Sequence, residues 1–375
     1  MRGTNWLGDA VMTTPALLRL REKFPDAHIA LFTPEKLRDL WRLHPAVNET
    51  ISFAPGENIF SVGKKLRAGK FDLALVLPNS PRSVLEVFLA GIPQRVGYAR
   101  PWRNFFLTQA VPPRAGDVKM RKQTVSKIHA LVKPGAVALQ PSIFNLQPST
   151  GHQLYEYLHL AAALGAIPEP LAPRLFVAPE EIETARKKFN LENLNRTGKM
   201  PVPLFGLNPG AEYGPAKRWP VEKFIATTKE IQKRTSCAWL LFGGKNDLPM
   251  ASRIESAIGN RQSAIFNLAG KTSLRELMAL LKTCRVLLTN DTGPMHVAAA
   301  LGTPVVALFG STSPELTGPG LPGEARNHLL KSGAPCSPCF LRECPIDFRC
   351  MSGISVERVV EAVLEIHRKD PEARR

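Results

Sequence analysis

Short apolar runs recur along the chain, separated by stretches whose apolar residues return every three or four positions. Ile29-Ala30-Leu31-Phe32 and Leu73-Ala74-Leu75-Val76-Leu77 read as buried strands, and 14–24 and 83–91 as amphipathic helices. Strand and helix in alternation predict a parallel sheet. The rhythm breaks over 113–150, where 114–135 is basic and 140–150 reads as a loop, so this stretch is taken as an insertion. A helical pattern over 152–165 is followed by the proline-bearing 168–179, which reads as a linker. Alternation then restarts: strand 204–207, helix 221–234, strand 239–242, helix 250–258, strand 265–268, helix 273–282. Two further apolar runs, 286–288 and 305–309, flank a short helix-like piece, and 355–369 carries apolar residues at helical spacing. The fold class expected is α/β, built as two successive halves.

Composition bounds the picture further. With 375 residues, 44% hydrophobic and 22% charged, the chain can bury one or two substantial cores and is not a disordered composition. No run approaches the ~20 apolar residues of a membrane span, and the opening MRGTNWLGDA lacks a signal-peptide layout, so a cytoplasmic location is expected. A net charge of +17 calls for anionic partners: phosphates, acidic lipid surfaces or nucleic acid. No interleaved basic and aromatic motif is present, so nucleic acid is not expected.

The join Asn290-Asp291-Thr292-Gly293-Pro294 ends a strand and opens a helix, with His296 near its mouth and Ala298 to Ala300 letting it sit close to a sheet. Anions collect at such strand ends, where helix N-termini offer backbone N–H groups and partial positive charge. Asp291 or Thr292 can cap, Gly293 permits close approach, and the helix is expected to stop at Gly302. Alone, the segment reads equally well as a capped crossover helix. A second strand end, 207–224, carries Gly210 and then Lys217-Arg218; two such turns with cations beside them point to a diphosphate, while Lys217 alone reads as a solvated charge. Asp247, after Gly243-Gly244, is placed to accept from a ribose diol or to cap a helix. Gly8-Asp9 stands at the first helix mouth, where Asp9 is a candidate general base or a cap. Cys336, Cys339, Cys344 and Cys350 open with C-x-x-C spacing and form a candidate structural zinc site, with free thiols as the alternative.

NWLGDAVMTTPAL, LPNS at 77–80, GIPQRVGY at 91–98, NPGAEYGPAKRWP, LFGGKND, NLAGKTSL at 267–274 and TNDTGPMHVAAALGTPVVALFGSTSP together resemble the ADP-heptose:lipopolysaccharide heptosyltransferases of glycosyltransferase family 9, the heptosyltransferase II branch in particular. The resemblance covers nearly the whole chain. It implies a GT-B fold: an acceptor-side Rossmann-like domain over 1–172, a nucleotide-sugar domain over 173–354, and a last helix, 355–375, returning to the first domain. It implies transfer of L-glycero-D-manno-heptose from ADP-heptose to the heptose of a heptosylated Kdo-lipid A acceptor, with inversion. The family's base matches Asp9 of the Gly8-Asp9 pair, its diphosphate lysine Lys217, its ribose carboxylate Asp247, and its Asp-Thr-Gly-x-x-His turn Asp291, Thr292, Gly293 and His296. No cofactor is expected for the chemistry, since no Asp-x-Asp metal motif is evident. Another family 9 transferase, with a different acceptor or nucleotide sugar, and a nucleotide-sugar epimerase are the rival readings. A lipid-borne acceptor implies peripheral contact with the cytoplasmic face of the inner membrane. Lys119, Arg121, Lys122, Lys127 and Lys133 of the insertion either meet anionic lipid there or form a solvated basic face. The family places a strand ahead of the NWLGD motif where only Met1 to Thr4 stand here, so a gap is expected among the first strands.

Overall fold

A computed structural model describes residues 1–115, 117–133, 143–144, 151–195, 202–259 and 265–369. The chain forms two compact units, 1–118 with 150–176, and 119–149 with 177–375.

The first unit holds strands β1 (Ala30–Pro34), β2 (Glu49–Phe53), β3 (Leu73–Val76), β4 (Gln94–Tyr98) and β5 (Gln109–Val111). Parallel pairing joins β1 to β2 and runs β3-β4-β5. Helices Thr14–Lys23 and Leu154–Ala162 cover one part of this sheet, burying Leu20, Leu158 and Leu160 against Leu75 and Val96. Helix Pro81–Leu89 starts where sequence rules place a start: the Ser80 hydroxyl accepts the Ser83 N–H, and Pro81 takes the first turn.

Met1 to Gly3 lie between β1 and β3: Arg2 pairs in parallel with Phe32 and Val76, Phe32 N donates to Met1 O, and Gly3 N donates to Phe32 O. The Arg2 guanidinium is buried and ion-paired to Glu86 at 2.7 Å. Just before it the Met1 amine donates to Ala30 O at 2.6 Å, and the space that continues the ladder is an apolar cavity of about 510 Å3 lined by Leu20, Phe24, Leu66, Leu73 and Leu75. Burial pushes the Met1 amine down from 8.0 to about 5.

The second unit is a seven-stranded sheet of β6 (Ile143–Phe144), β7 (Leu204–Asn208), β8 (Ala238–Leu241), β9 (Ile265–Asn267), β10 (Val286–Asn290), β11 (Val305–Leu308) and β12 (His328–Leu330). Its order is β6-β12-β11-β10-β7-β8-β9, parallel except for β6 against β12. Progression outward from β7 through β8 to β9, and from β10 through β11 to β12, makes the β7/β10 boundary the topological switch point where α/β sheets hold ligands. Strands β7, β8, β10 and β11 are buried end to end, which is why they read as unbroken apolar runs.

Three expectations are corrected. The last helix, Val356–Lys369, packs against helix Val221–Thr235, β10 and β11 of the second unit, contrary to the expected return to the first domain. Its apolar face of Val359, Val360, Val363 and Ile366 is buried with Trp219, Phe224 and Leu288. The insertion also belongs to the second unit from 119 onward: helix Val125–Leu131, capped by Thr124, buries Ile128 against Cys336 and Cys339, and Gln123 N donates to Cys339 O at 2.9 Å. Of the expected loop over 140–150, only Ile143–Phe144 is described, and it forms β6; the rest lies outside the described residues. Directly after the expected linker, helix Pro179–Lys188 docks on helix Leu274–Thr283 through the Glu181–Arg275 ion pair.

Candidate active site

The switch point gathers most of the residues singled out in the second half. Asp291, buried at the end of β10, accepts from Lys217 Nζ at 2.6 Å and from Thr312 Oγ1 at 2.5 Å through the same oxygen. Lys217 comes from the loop after β7 and Thr312 from the loop after β11, so one carboxylate ties three strand ends together. A buried carboxylate is tolerable only with such partners. Thr292 is the N-cap residue of helix Gly293–Ala300, in extended conformation and without a side-chain cap bond, followed by Gly293 and Pro294. His296 is buried in that helix, as are Ala298 to Ala300, and Gly302 follows with φ 88°.

Asp247 is turned away from the helix it precedes. Its Oδ2 accepts the Gly244 N–H at 2.9 Å and its Oδ1 lies 3.5 Å from Arg218 Nη2, while helix Leu248–Ile258 receives no cap from it. The same carboxylate lies against Gly210: a Cβ there would stand 2.4 Å from Asp247 Oδ2, so only glycine lets the β7 loop and the β8 loop meet this closely. Asp247 and Gly210 therefore share one corner, with Lys217, Asp291 and Thr292 around the β10 end.

Sequence reasoning missed the residues that hold these loops. Asn290 accepts the Trp219 N–H at 3.1 Å and donates to Pro209 O at 2.7 Å, stitching both ends of the Lys217 loop to β10. Thr312 lies inside the long motif that opens with Thr289. A polar residue closing an otherwise apolar strand, as in Leu287-Leu288-Thr289-Asn290, is the signal that points to Asn290. Glu315 and Lys331 pair nearby at 2.6 Å; although burial pushes the Glu315 carboxyl up, Lys331 and Ser313 hold it below its ordinary value.

In the first unit Gly8 and Asp9 lie in helix Leu7–Met12. Asp9 is third in that helix and Trp6 is its N-cap residue. Burial raises the Tyr157 hydroxyl pKa and the Asp9 charge beside it adds to the shift. In the adjoining helix turn Glu156 is pushed up to about 7, by burial and then by the Asp117 carboxylate.

The structure brings the four cysteines of the zinc expectation into one neighbourhood. Among the described residues, no group of three His, Cys, Asp or Glu side chains is arranged to hold a metal ion. Cys336, Cys339 and Cys350 are buried and Cys344 half-buried, all as free thiols. They lie within electrostatic reach of one another: burial, then the neighbouring cysteines, pushes Cys350 up to about 12. Cys344 Sγ accepts the Phe348 N–H at 3.3 Å, and Cys336 and Cys339 pack on Ile128.

A Rossmann-ordered parallel sheet in one unit, a second parallel α/β unit, and a lysine–carboxylate pair at a strand-end switch point are the parts of the GT-B fold class, and the comparisons make the chain a glycosyltransferase. The model of "Glycosyltransferase family 9 (heptosyltransferase)" matches residues 59–348, and the chain belongs to that family. It is 32% identical over 325 residues to lipopolysaccharide heptosyltransferase 2 of Escherichia coli K12, covering 84% of each chain. Lipooligosaccharide heptosyltransferase 2 of Haemophilus influenzae is 31% identical over 328 residues, with 84% of each covered. Among solved structures, ADP-heptose lps heptosyltransferase II of E. coli superposes with a TM-score of 0.73 at 28% identity over 97% of both chains. A family 9 glycosyl transferase of Veillonella parvula gives 0.74 at 24% identity over 97% of this chain and 95% of its own, a likeness of fold.

Proposed function

We propose that this chain transfers L-glycero-D-manno-heptose from ADP-heptose to the heptose of a heptosylated Kdo-lipid A acceptor, inverting the anomeric centre in a single displacement. The observation that carries this reading is the Lys217–Asp291–Thr312 cluster at the β7/β10 switch point of a family 9 chain. Lys217 and the amino end of helix Gly293–Ala300 offset the charge that grows on the departing ADP. Asp247, beside Gly210, accepts from the ribose hydroxyls, and Asp291 holds the Lys217 ammonium until the diphosphate takes it over. Thr292, Gly293 and His296 shape the turn that receives the diphosphate. Asp9 takes the proton of the attacking acceptor hydroxyl.

Peripheral contact with the inner membrane supplies the lipid-borne acceptor. No described helix is long and apolar enough to cross a membrane. Lys119, Arg121, Lys122, Lys127 and Lys133 are exposed, and exposed Val118, Met120 and Val125 are interleaved with them. Such a mix of cations and apolar tips favours an anionic lipid surface, each cation adding about 1 kcal/mol. The donor half of the proposal is tested by calorimetry with ADP. ADP binds the parent chain, and Lys217→Ala weakens binding and ADP-heptose use by roughly 2–4 kcal/mol, the loss of a charge-assisted contact to the diphosphate. Unchanged ADP affinity in a folded Lys217→Ala protein removes Lys217 from the site.

A further inference from the structure

We infer that Tyr213 is a positioning residue for Lys217, with its ring held as a fixed wall by a strap over residues 337–342. The inference rests on the reading of Lys217 as the cation that meets the donor's diphosphate. Lys217 Nζ lies 5.0 Å from the centroid of the Tyr213 ring, and the Arg342 guanidinium carbon lies 5.4 Å from it. Two cations thus share one aromatic ring, whose quadrupole attracts each.

The ring cannot drift. Tyr213 Oη donates to Phe340 O at 2.9 Å, Arg342 Nε donates to Tyr213 O at 2.7 Å, and Ala216 N donates to Arg342 O at 3.0 Å. Gly214 lies so near that a Cβ would stand 2.4 Å from Arg342 O. The strap is itself anchored to the far side of the site. Cys339 N and Phe340 N both donate to Ser311 O, at 3.1 and 2.7 Å, and Ser337 Oγ donates to Gly310 O at 2.6 Å. Thr312, next in the chain, donates to the Asp291 oxygen that Lys217 also binds. Phe340 adopts φ 57°, an unfavourable value for a bulky residue, kept because its neighbours leave it no alternative.

The consequence concerns a flexible side chain. A lysine ammonium on a four-carbon stem loses rotamer freedom when it binds an anion. In this site Asp291 holds the ammonium by charge, and the Tyr213 ring holds it from another side. When the diphosphate replaces Asp291 as partner, the ring is what keeps the ammonium from swinging out.

ADP affinity by calorimetry, together with kcat and KM for ADP-heptose, in Tyr213→Phe, Tyr213→Leu, Lys217→Met and the Tyr213→Leu/Lys217→Met pair, tests this. Tyr213→Leu is expected to weaken ADP binding and raise the ADP-heptose KM about tenfold, the size of a partly desolvated cation–π contact. Tyr213→Phe keeps the ring and stays within about twofold on the same scale. In the Lys217→Met background Tyr213→Leu adds nothing further, since the ring acts through the lysine. Melting temperatures confirm that each variant is folded. Parent-like ADP affinity in Tyr213→Leu, damage in Tyr213→Phe equal to that in Tyr213→Leu, or full additivity in the pair overturns the inference. If Lys217→Met itself binds ADP as the parent does, the underlying reading of Lys217 fails instead.

Discussion

Asp9 is the proposed general base, and it stands in the first turn of helix Leu7–Met12. Trp6 occupies the N-cap position and Asp9 is third in the helix. Asparagine keeps the size of aspartate but cannot take a proton. Asp9→Asn is therefore expected to melt within a few degrees of the parent and to bind ADP as the parent does. Turnover should fall by about 10²–10⁴-fold, the usual worth of a general base. Side-by-side steady-state rates decide it, and near-normal turnover ends the assignment. At this scale the sequence was partly legible. Lys217, Asp247 and Asp291 stood out because each follows an apolar run and a glycine-bearing turn, where strand ends gather polar groups. Asn290, Thr312 and Tyr213 did not, because their partners lie 71, 21 and 127 residues away along the chain. For the cysteines, spacing along the chain showed that they are neighbours but not how their sulfurs are disposed in space.

Elements with a strong period were legible in kind and nearly in length. Helix 273–282 is observed as Leu274–Thr283 with a Ser273/Glu276 capping box, and the 204–207 run as β7. Short strands β2, β5 and β6 were not, because a strand of so few residues carries little periodic signal. The gap beside Arg2 yields a pH prediction. The Met1 amine falls from 8.0 to about 5 on folding, so the unfolded chain binds more protons between those values. Stability from this group is fully present above pH 8 and is lost as pH falls towards 5. Three pKa units at 1.36 kcal/mol each set a ceiling of about 4 kcal/mol. Glu156, raised to about 7, acts with the opposite sign: its contribution is present below its ordinary value of 4.5 and lost as pH rises through 7. A comparison of free and N-acetylated chains cancels it. Urea titrations should show the acetylated chain gaining over the free one as pH drops from 8 to 5, and a difference independent of pH contradicts the buried amine.

For the whole molecule, the α/β alternation foretold two parallel-sheet units, but not which of them the insertion and the last helix would join. Both have amphipathic faces that any apolar surface could cover, and tertiary packing made the choice. Charge belongs to this scale too. The +17 balance, the exposed cations between Lys119 and Lys133, and Trp102 and Phe105 at 83% and 87% exposure predict binding to vesicles rich in anionic lipid and little binding to neutral ones. Co-sedimentation should weaken as salt rises, and further when Lys119, Arg121 and Lys122 are changed together to glutamine; equal binding to both vesicle types excludes the electrostatic contact. The most direct measurement of the account is transfer itself: purified chain, ADP-heptose and heptosylated Kdo-lipid A, with the lipid product weighed by mass spectrometry and released ADP counted. The account predicts one heptose added per acceptor, one ADP released per transfer, and no ADP release without the lipid. An acceptor unchanged in mass, or ADP-heptose consumed equally well without it, contradicts the account.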